Sequence, residues 1–299
     1  GEEITIKPLA WMLDCFFRPE LAHDLPTFRV ENAEVLDAAA IKSTKRRAHY
    51  SYNDLKSGLP KLKELAAAYE QINRQDPKRL KPVESQTLSL AYTIRTYEFL
   101  TGYMDFARNG LLPASAAQDG KLLAVSEVMQ AAPKIRAELQ AAAQGNPASS
   151  EVQTITVLIE QAANSAKFGL NLFPPTNTAD PVWLSAGDRI FHIFTGTTRE
   201  PEQSVRDIKL LEDVVQALPA GEAAFREKFL ALETSIVERA EARGEYRSIP
   251  LEADYFKKNW FIYALVWFLI ATISSAVMFF TGRTKAGQVT YWITVTCLV

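Results

Sequence analysis

The chain has 299 residues, and 33 Lys and Arg against 35 Asp and Glu leave a formal net charge of −2 at neutral pH. With 47% hydrophobic and 23% charged residues it is not a disordered chain, and 13 Gly with 15 Pro exclude collagen-like and low-complexity structure. The near-neutral balance gives no electrostatic argument for nucleic-acid binding, and two cysteines are too few for a disulfide framework.

The first fifty residues show the least regular pattern. Pro8, Pro19 and Pro26 interrupt any long helix in this region. Residues 27–30 favour a short strand, and residues 33–41 favour one short helix. No run of alternating apolar and polar residues predicts a larger sheet anywhere in the chain.

Helical periodicity dominates the rest of the chain up to residue 243. It predicts successive helices near residues 60–75, 85–106, 121–143, 151–167, 205–218 and 225–243. Pro60 marks the start of the first, and Pro133 is expected to break the third. The helix at 85–106 is apolar on more than one side, which predicts burial between neighbours. The predicted class is therefore mainly α.

Residues 260–280 form a run of 21 residues without a charge, of which 18 are apolar. At 1.5 Å per residue such a helix is about 30 Å long, which matches the hydrocarbon core of a bilayer. Lys257 and Lys258 precede the run, and Trp260, Tyr263 and Trp267 lie towards one end as interfacial aromatics do. We interpret it as a transmembrane helix rather than as the buried helix of a soluble domain.

The predicted organisation has three parts. Residues 1–250 form a helical domain, residues 251–281 a transmembrane helix with its flanks, and residues 282–299 a short loop and the start of a second transmembrane helix. Twelve uncharged residues at the end are too few to span, so we expect a fragment of a larger multi-pass protein. Arg283 and Lys285 place the short loop in the cytoplasm by the positive-inside rule, and residues 1–250 then lie on the extracytoplasmic side of the inner (cytoplasmic) membrane.

Residues suited to chemistry are few and scattered. His23, His49 and His192 are far apart and match no metal-binding spacing, so a packed or hydrogen-bonded role is the simpler interpretation for each. A basic cluster could contact lipid headgroups or a partner's acids, or be a solvated turn; it consists of Lys42, Lys45, Arg46 and Arg47. No nucleophile motif, phosphate-binding loop or paired carboxylates stand out, so the sequence predicts no catalytic, cofactor-binding or metal-binding residue and leaves enzymatic activity uncertain.

Four stretches resemble one family, the cytochrome c assembly proteins of the CcsA/ResB type (system II). They are residues 6–9 (IKPL), 25–30 (LPTFRV), 49–55 (HYSYNDL) and 252–261 (EADYFKKNWF). The similarity is one of layout and of short segments over most of the chain. In this family an extracytoplasmic domain leads directly into the first membrane helix of the assembly module.

The resemblance implies haem handling by the complete protein. Such proteins are understood to move haem across the membrane, hold it reduced, and help attach it to the CxxCH thiols of apocytochrome c. The Trp-rich WGxxWxWD loop of the family does not occur here, so no functional residue is carried over and no haem is expected in this piece. Its implied role is that of a scaffold or docking domain for apocytochrome c and other assembly subunits. The alternative is an exported sensor or ligand-binding domain of another membrane protein.

Overall fold

The computed structural model describes residues 6–41, 48–109, 123–145, 147, 149–282 and 284–298. The fold is mainly helical, as predicted. Two compact units are present, Gly1–Thr234 and Ser235–Val299. The basic cluster at residues 42–47 and the loop predicted to follow residue 109 lie outside the described residues, as does Arg283.

The first half of the first unit is built from short elements and two long helices. In chain order they are α1 (Pro8–Phe17), α2 (Pro19–Asp24), β1 (Phe28–Val30), α3 (Ala33–Ala38), β2 (Ala48–Tyr50), α4 (Tyr52–Leu55), α5 (Leu59–Gln75) and α6 (Pro82–Gly102). The strand predicted at 27–30 is confirmed, and it pairs antiparallel with β2, so that Phe28 lies opposite Tyr50. The sequence did not indicate β2, because a strand of three residues is too short to show a two-residue period.

In the second half of this unit, the described residues form helices and one isolated antiparallel bridge between Phe173 and Leu184. The helices are α7 (Asp105–Asn109), α8 (Val125–Gln130), α9 (Ala132–Ala143), α10 (Ser150–Ala166), α11 (Ala186–Thr195), α12 (Pro201–Gln216) and α13 (Glu222–Ala242), the last of which continues into the second unit. Pro133 does separate two helices, and it lies in the first turn of the second. Pro8 and Pro19 also stand in first turns, so these prolines start helices instead of only interrupting them.

The core of the first half lies where the β1–β2 ribbon packs against α3, α5 and α6. Phe28 and Val30 face inward from β1 while Arg29 between them is exposed, which is the alternation of a strand covered on one face. Leu62 of α5 and Ile94 of α6 close the core from the helical side. The predicted helix at 85–106 is buried on this side and, at Leu88 and Tyr103, on the opposite side as well, whereas Tyr92 between them remains exposed.

The second unit contains three further helices after the end of α13. They are α14 (Ser248–Lys258), α15 (Trp260–Thr281) and α16 (Lys285–Leu298). α15 and α16 pack against each other, and Ala271 and Ser274 of α15 are buried. Within the described ranges, α15 is the one helix long and apolar enough to cross a membrane.

Candidate functional site

The surface of α15 is apolar and largely uncovered. Only 11% of its most apolar window is buried, and Phe279 and Phe280 are more than four-fifths exposed. At its start the ring centroids of Trp260 and Tyr263 lie 6.5 Å apart, and the ammonium group of Lys258 lies 5.6 Å from the Trp260 ring. Amphipathic rings beside a long cation are typical of the boundary between lipid and water. The helix therefore suits a lipid environment by length, composition and exposure.

The structure separates the three histidines by element. His23 lies in α2, His49 lies in β2 opposite Arg29, and His192 lies in α11 with its ring 5.9 Å from that of Phe191. Among the described residues, no group of three or more His, Cys, Asp or Glu side chains could hold a metal ion. Each histidine is thus placed in its own local packing environment.

His23 belongs to an aromatic cluster centred on Tyr97 of α6. The Tyr97 hydroxyl and Nδ1 of His23 share a hydrogen bond of 2.9 Å, and the His23 ring stacks on Tyr52 at 4.6 Å. Phe28 meets Tyr97 edge to face at 5.1 Å, and Trp11 stacks on it at 6.2 Å. This cluster joins α1, α2, α4, β1 and α6, so its evident role is to hold the N-terminal elements on the long helix.

Burial suppresses acid–base chemistry in and near this cluster. It lowers the pKa of His23, with Lys56 adding to the effect. It raises the pKa of Tyr52 to about 12, and the carboxylate of Glu98, which accepts the Tyr52 hydroxyl hydrogen, contributes. The thiol of Cys15 has a pKa of about 11, again chiefly because of burial. His23 is therefore neutral at neutral pH and Cys15 is a thiol, which is the opposite of an activated nucleophile.

A buried ion cluster organises α11, α12 and the loop before them. Arg189 is 1% exposed; its Nε lies 3.0 Å from Oδ2 of the fully buried Asp207, and its Nη1 lies 3.0 Å from Oε2 of Glu200. The other oxygen of Glu200 accepts hydrogen bonds from the backbone N–H and the hydroxyl of Thr176. Although burial opposes it, these hydrogen bonds lower the pKa of Glu200. The cluster ties an irregular loop to two helices.

A second buried carboxylate belongs to Glu212 on α12. It accepts hydrogen bonds from the backbone N–H of Ser126 at 3.2 Å and from the Ser126 hydroxyl at 2.5 Å, at the start of α8. Burial raises the pKa of Glu212. Its partners all come from the first turn of α8, so the carboxylate completes that helix end instead of facing an open site.

A groove lies beside α6, between that helix and the α10–α11 pair. Its volume is about 1100 Å³. The α6 side presents Tyr92, Phe99 and Tyr103, and the opposite side presents Leu158 and Ile190. The predicted second apolar side of α6 is thus real; part of it is buried, and part of it lines this opening.

No family model, curated protein or solved structure matches the chain. The chemistry of the described residues is therefore the guide to function.

The sequence had not indicated the Arg189 cluster or the groove. The doubly apolar pattern of residues 85–106 was a signal for the groove, whereas Arg189, Glu200 and Asp207 carry no motif that would join them.

Proposed function

We propose that the chain is the helical docking part of a membrane-anchored cytochrome c assembly protein. Residues 1–250 lie on the extracytoplasmic side of the inner membrane, and α15 is the first of several membrane helices. The helical domain acts as a scaffold that holds apocytochrome c, or another assembly subunit, beside the haem-handling part of the complete protein. The complete protein, and not this piece, carries the haem.

The observation that supports the proposal most directly is the exposed apolar surface of α15. In water, a helix with Phe261, Phe279 and Phe280 each about three-quarters or more exposed would leave a large apolar area solvated. At roughly 25 cal/mol per Å² this is a strong drive towards lipid or a protein partner. Attachment to the membrane raises the concentration of the preceding domain near any other site on the same protein, which is the physical basis of a docking role.

The four stretches that resemble the family also support the proposal through their placement. Residues 25–30 supply β1 and residues 49–55 supply most of β2 and all of α4, and the two strands pair with each other. Phe28, Tyr50 and Leu55 from these stretches are buried in one core. These stretches therefore supply packing residues of the domain, as expected for a scaffold.

Deletion of residues 1–250 from the complete protein, with α15 retained, tests the docking role. We expect covalent haem attachment to apocytochrome c to fall severalfold, because the substrate loses its tether. The haem content of the purified membrane part should change little. Haem-stained gels give the first quantity, and the absorption spectrum of the purified protein gives the second. The matched control replaces residues 1–250 with an unrelated helical domain of similar size.

Three outcomes would contradict the proposal. Equal loss of haem content and of maturation, at normal membrane levels, would remove the docking role. Full maturation with the unrelated domain in place would show that residues 1–250 contribute no specific contact. A gene in which no Trp-rich loop with flanking histidines follows Val299 would exclude the cytochrome c assembly assignment itself and favour the sensor or ligand-binding alternative.

A further inference from the structure

The short helix α2 is held in place by few buried groups. Of its six residues only Ala22 is buried, and Leu21 is 47% exposed. His23 faces inward, with Nδ1 at 2.9 Å from the Tyr97 hydroxyl oxygen of α6 and its ring stacked on Tyr52 of α4. An element that buries so little apolar surface opens at a small cost in free energy. The contacts of His23 therefore have a large influence on whether α2 stays packed against α6.

The surroundings of Tyr97 fix the direction of its hydrogen bond with His23. Tyr97 is 3% exposed, and among the described residues its hydroxyl has no hydrogen-bond partner besides His23. A buried hydroxyl must donate its hydrogen or leave it unsatisfied. The Tyr97 hydroxyl therefore donates to Nδ1, and neutral His23 carries its own hydrogen on Nε2.

Protonation of His23 removes the acceptor of this hydrogen bond. Both ring nitrogens of an imidazolium carry hydrogen, so Nδ1 then donates and no longer accepts. The Tyr97 oxygen can accept that hydrogen, but its own hydroxyl hydrogen is left without an acceptor in the part of the chain that the structure describes. A buried donor without a partner destabilises the arrangement that buries it. One added proton therefore weakens the contact between α2 and α6.

The other groups around the His23 ring act in both directions. The titratable or charged side chains that interact with it are Tyr52, Lys56, Tyr97, Arg108, Glu20 and Asp24. The two tyrosines are uncharged, because burial raises the pKa of both. The two acids favour a cation at His23, and the two bases disfavour it. Burial also disfavours the cation and has the largest effect, so the pKa of His23 is lowered.

We propose that His23 is a pH-sensitive latch, which holds α2 on α6 when it is neutral and releases α2 when it is protonated. The closed arrangement binds a proton on His23 less readily than the open one, in which a histidine has a pKa of about 6.5. The stabilisation by the latch is therefore fully present above this pH and is lost as the pH falls through it. The inference goes beyond the docking role and does not depend on it.

Hydrogen exchange of the whole chain in nanodiscs, at about pH 7.5 and about pH 5.5, tests the proposal. The two conditions lie about one unit on either side of the ordinary histidine pKa. After correction for intrinsic rates, the amides of residues 21–25 should exchange about five- to tenfold faster at the lower pH. The limit of about tenfold is the excess of protonated over neutral His23 in the open state at that pH. Amides of α5, in the same unit, serve as the internal reference and should not change.

Three variants separate the titration of His23 from other effects of acid. His23→Asn keeps an oxygen acceptor near the position of Nδ1 but does not titrate, so exchange at residues 21–25 should be equal at both pH values. His49→Asn is the matched control, because His49 is exposed in β2 and its loss should leave the full response. Tyr97→Phe keeps the ring and removes the hydroxyl. It should reduce the response to about half or less, because no buried hydroxyl then loses its acceptor.

Three results would overturn the proposal. One is equal exchange of residues 21–25 at both pH values in the unmodified chain. Another is an equal pH response of the unmodified chain and His23→Asn, which would assign the titration to a different group. The third is a full response in Tyr97→Phe, which would exclude the hydrogen bond as the trigger. If His23→Asn is already open at the higher pH, the comparison with Tyr97→Phe decides by itself. None of these results bears on the maturation assay, so the two proposals can fail separately.

Discussion

At the scale of single residues, Arg189 shows how a buried charge determines local structure. A guanidinium removed from water is tolerated only with well-placed anions, and Asp207 and Glu200 supply them at 3.0 Å each. Glu200 in turn accepts hydrogen bonds from Thr176, so the loop, α11 and α12 are joined by one ion cluster. Removing one member of this cluster would therefore lower the free energy of unfolding, mainly because the remaining buried charges would lose their counter-charge.

Arg189→Met tests this interpretation. It keeps an apolar stem but removes the cation that neutralises the buried carboxylate of Asp207, so we expect the free energy of unfolding of the first unit to fall by about 3–5 kcal/mol. Urea titration followed by circular dichroism measures it. Arg74→Met is the matched control, because its ion pair with Glu70 is exposed and should contribute only about 0.3–0.5 kcal/mol. Equal effects of the two substitutions would refute the buried-charge explanation.

At the scale of elements, the close crossing of α10 and α11 depends on a residue without a side chain. A Cβ atom on Gly187 would lie 2.7 Å from the backbone oxygen of Ala162 and 2.8 Å from the backbone nitrogen of Ala166. Both contacts are with backbone atoms, which cannot rotate away. The small residue is therefore what allows the two helices to approach, and their approach forms one wall of the groove.

Gly187→Ala should lower the free energy of unfolding by about 1–3 kcal/mol, because the added methyl group overpacks the crossing. Thermal unfolding measures the change. Gly102→Ala on α6 is the control, since its Cβ would meet only the flexible carboxylate of Asp105 at 3.3 Å. There we expect no loss, or a gain of roughly 0.5–1 kcal/mol from better helix propensity. A neutral Gly187→Ala would show that the crossing can relax.

At the scale of the whole molecule, two surfaces of different character occur in one chain. The first unit buries its apolar residues in a core, whereas α15 leaves most of its apolar surface exposed. Such a chain is suited to two solvents, and our proposal assigns water to the first unit and lipid to α15. The proposed membrane attachment therefore concerns the chain as a whole and not any local site.

Leu269→Arg places a charge near the middle of α15, and we expect it to weaken membrane insertion by about 2.5–3.5 kcal/mol. The protein should then shift towards the soluble fraction after alkaline extraction of membranes. Leu269→Phe keeps the position apolar and should remain in the membrane fraction. Retention of the arginine variant at the level of the phenylalanine variant would argue that α15 is held by protein contacts instead of lipid.

The helical elements were largely predictable, because their signals are local. Pro60 and Pro133 stand in the first turns of helices, and the period of apolar residues in α5 and α12 is evident without any tertiary information. The pairing of β1 with β2 was not predictable, since β2 has only three residues and α3 lies between the two strands in the chain. The predicted absence of catalytic, cofactor and metal residues remains a prediction, as do the membrane topology and the haem connection.

By itself, the sequence determined the helical class and the apolar segment at residues 260–280. Both follow from periodicity and composition, which depend only on residues close together in the sequence. Only the tertiary structure decided which parts of α6 are covered. It also decided that Arg95 forms no ion pair with any residue the structure describes, while Glu98 and Asp105 have partners. It also decided that Arg189, Glu200 and Asp207 meet. These facts depend on contacts between distant parts of the chain, and such contacts form only when apolar burial brings the helices together.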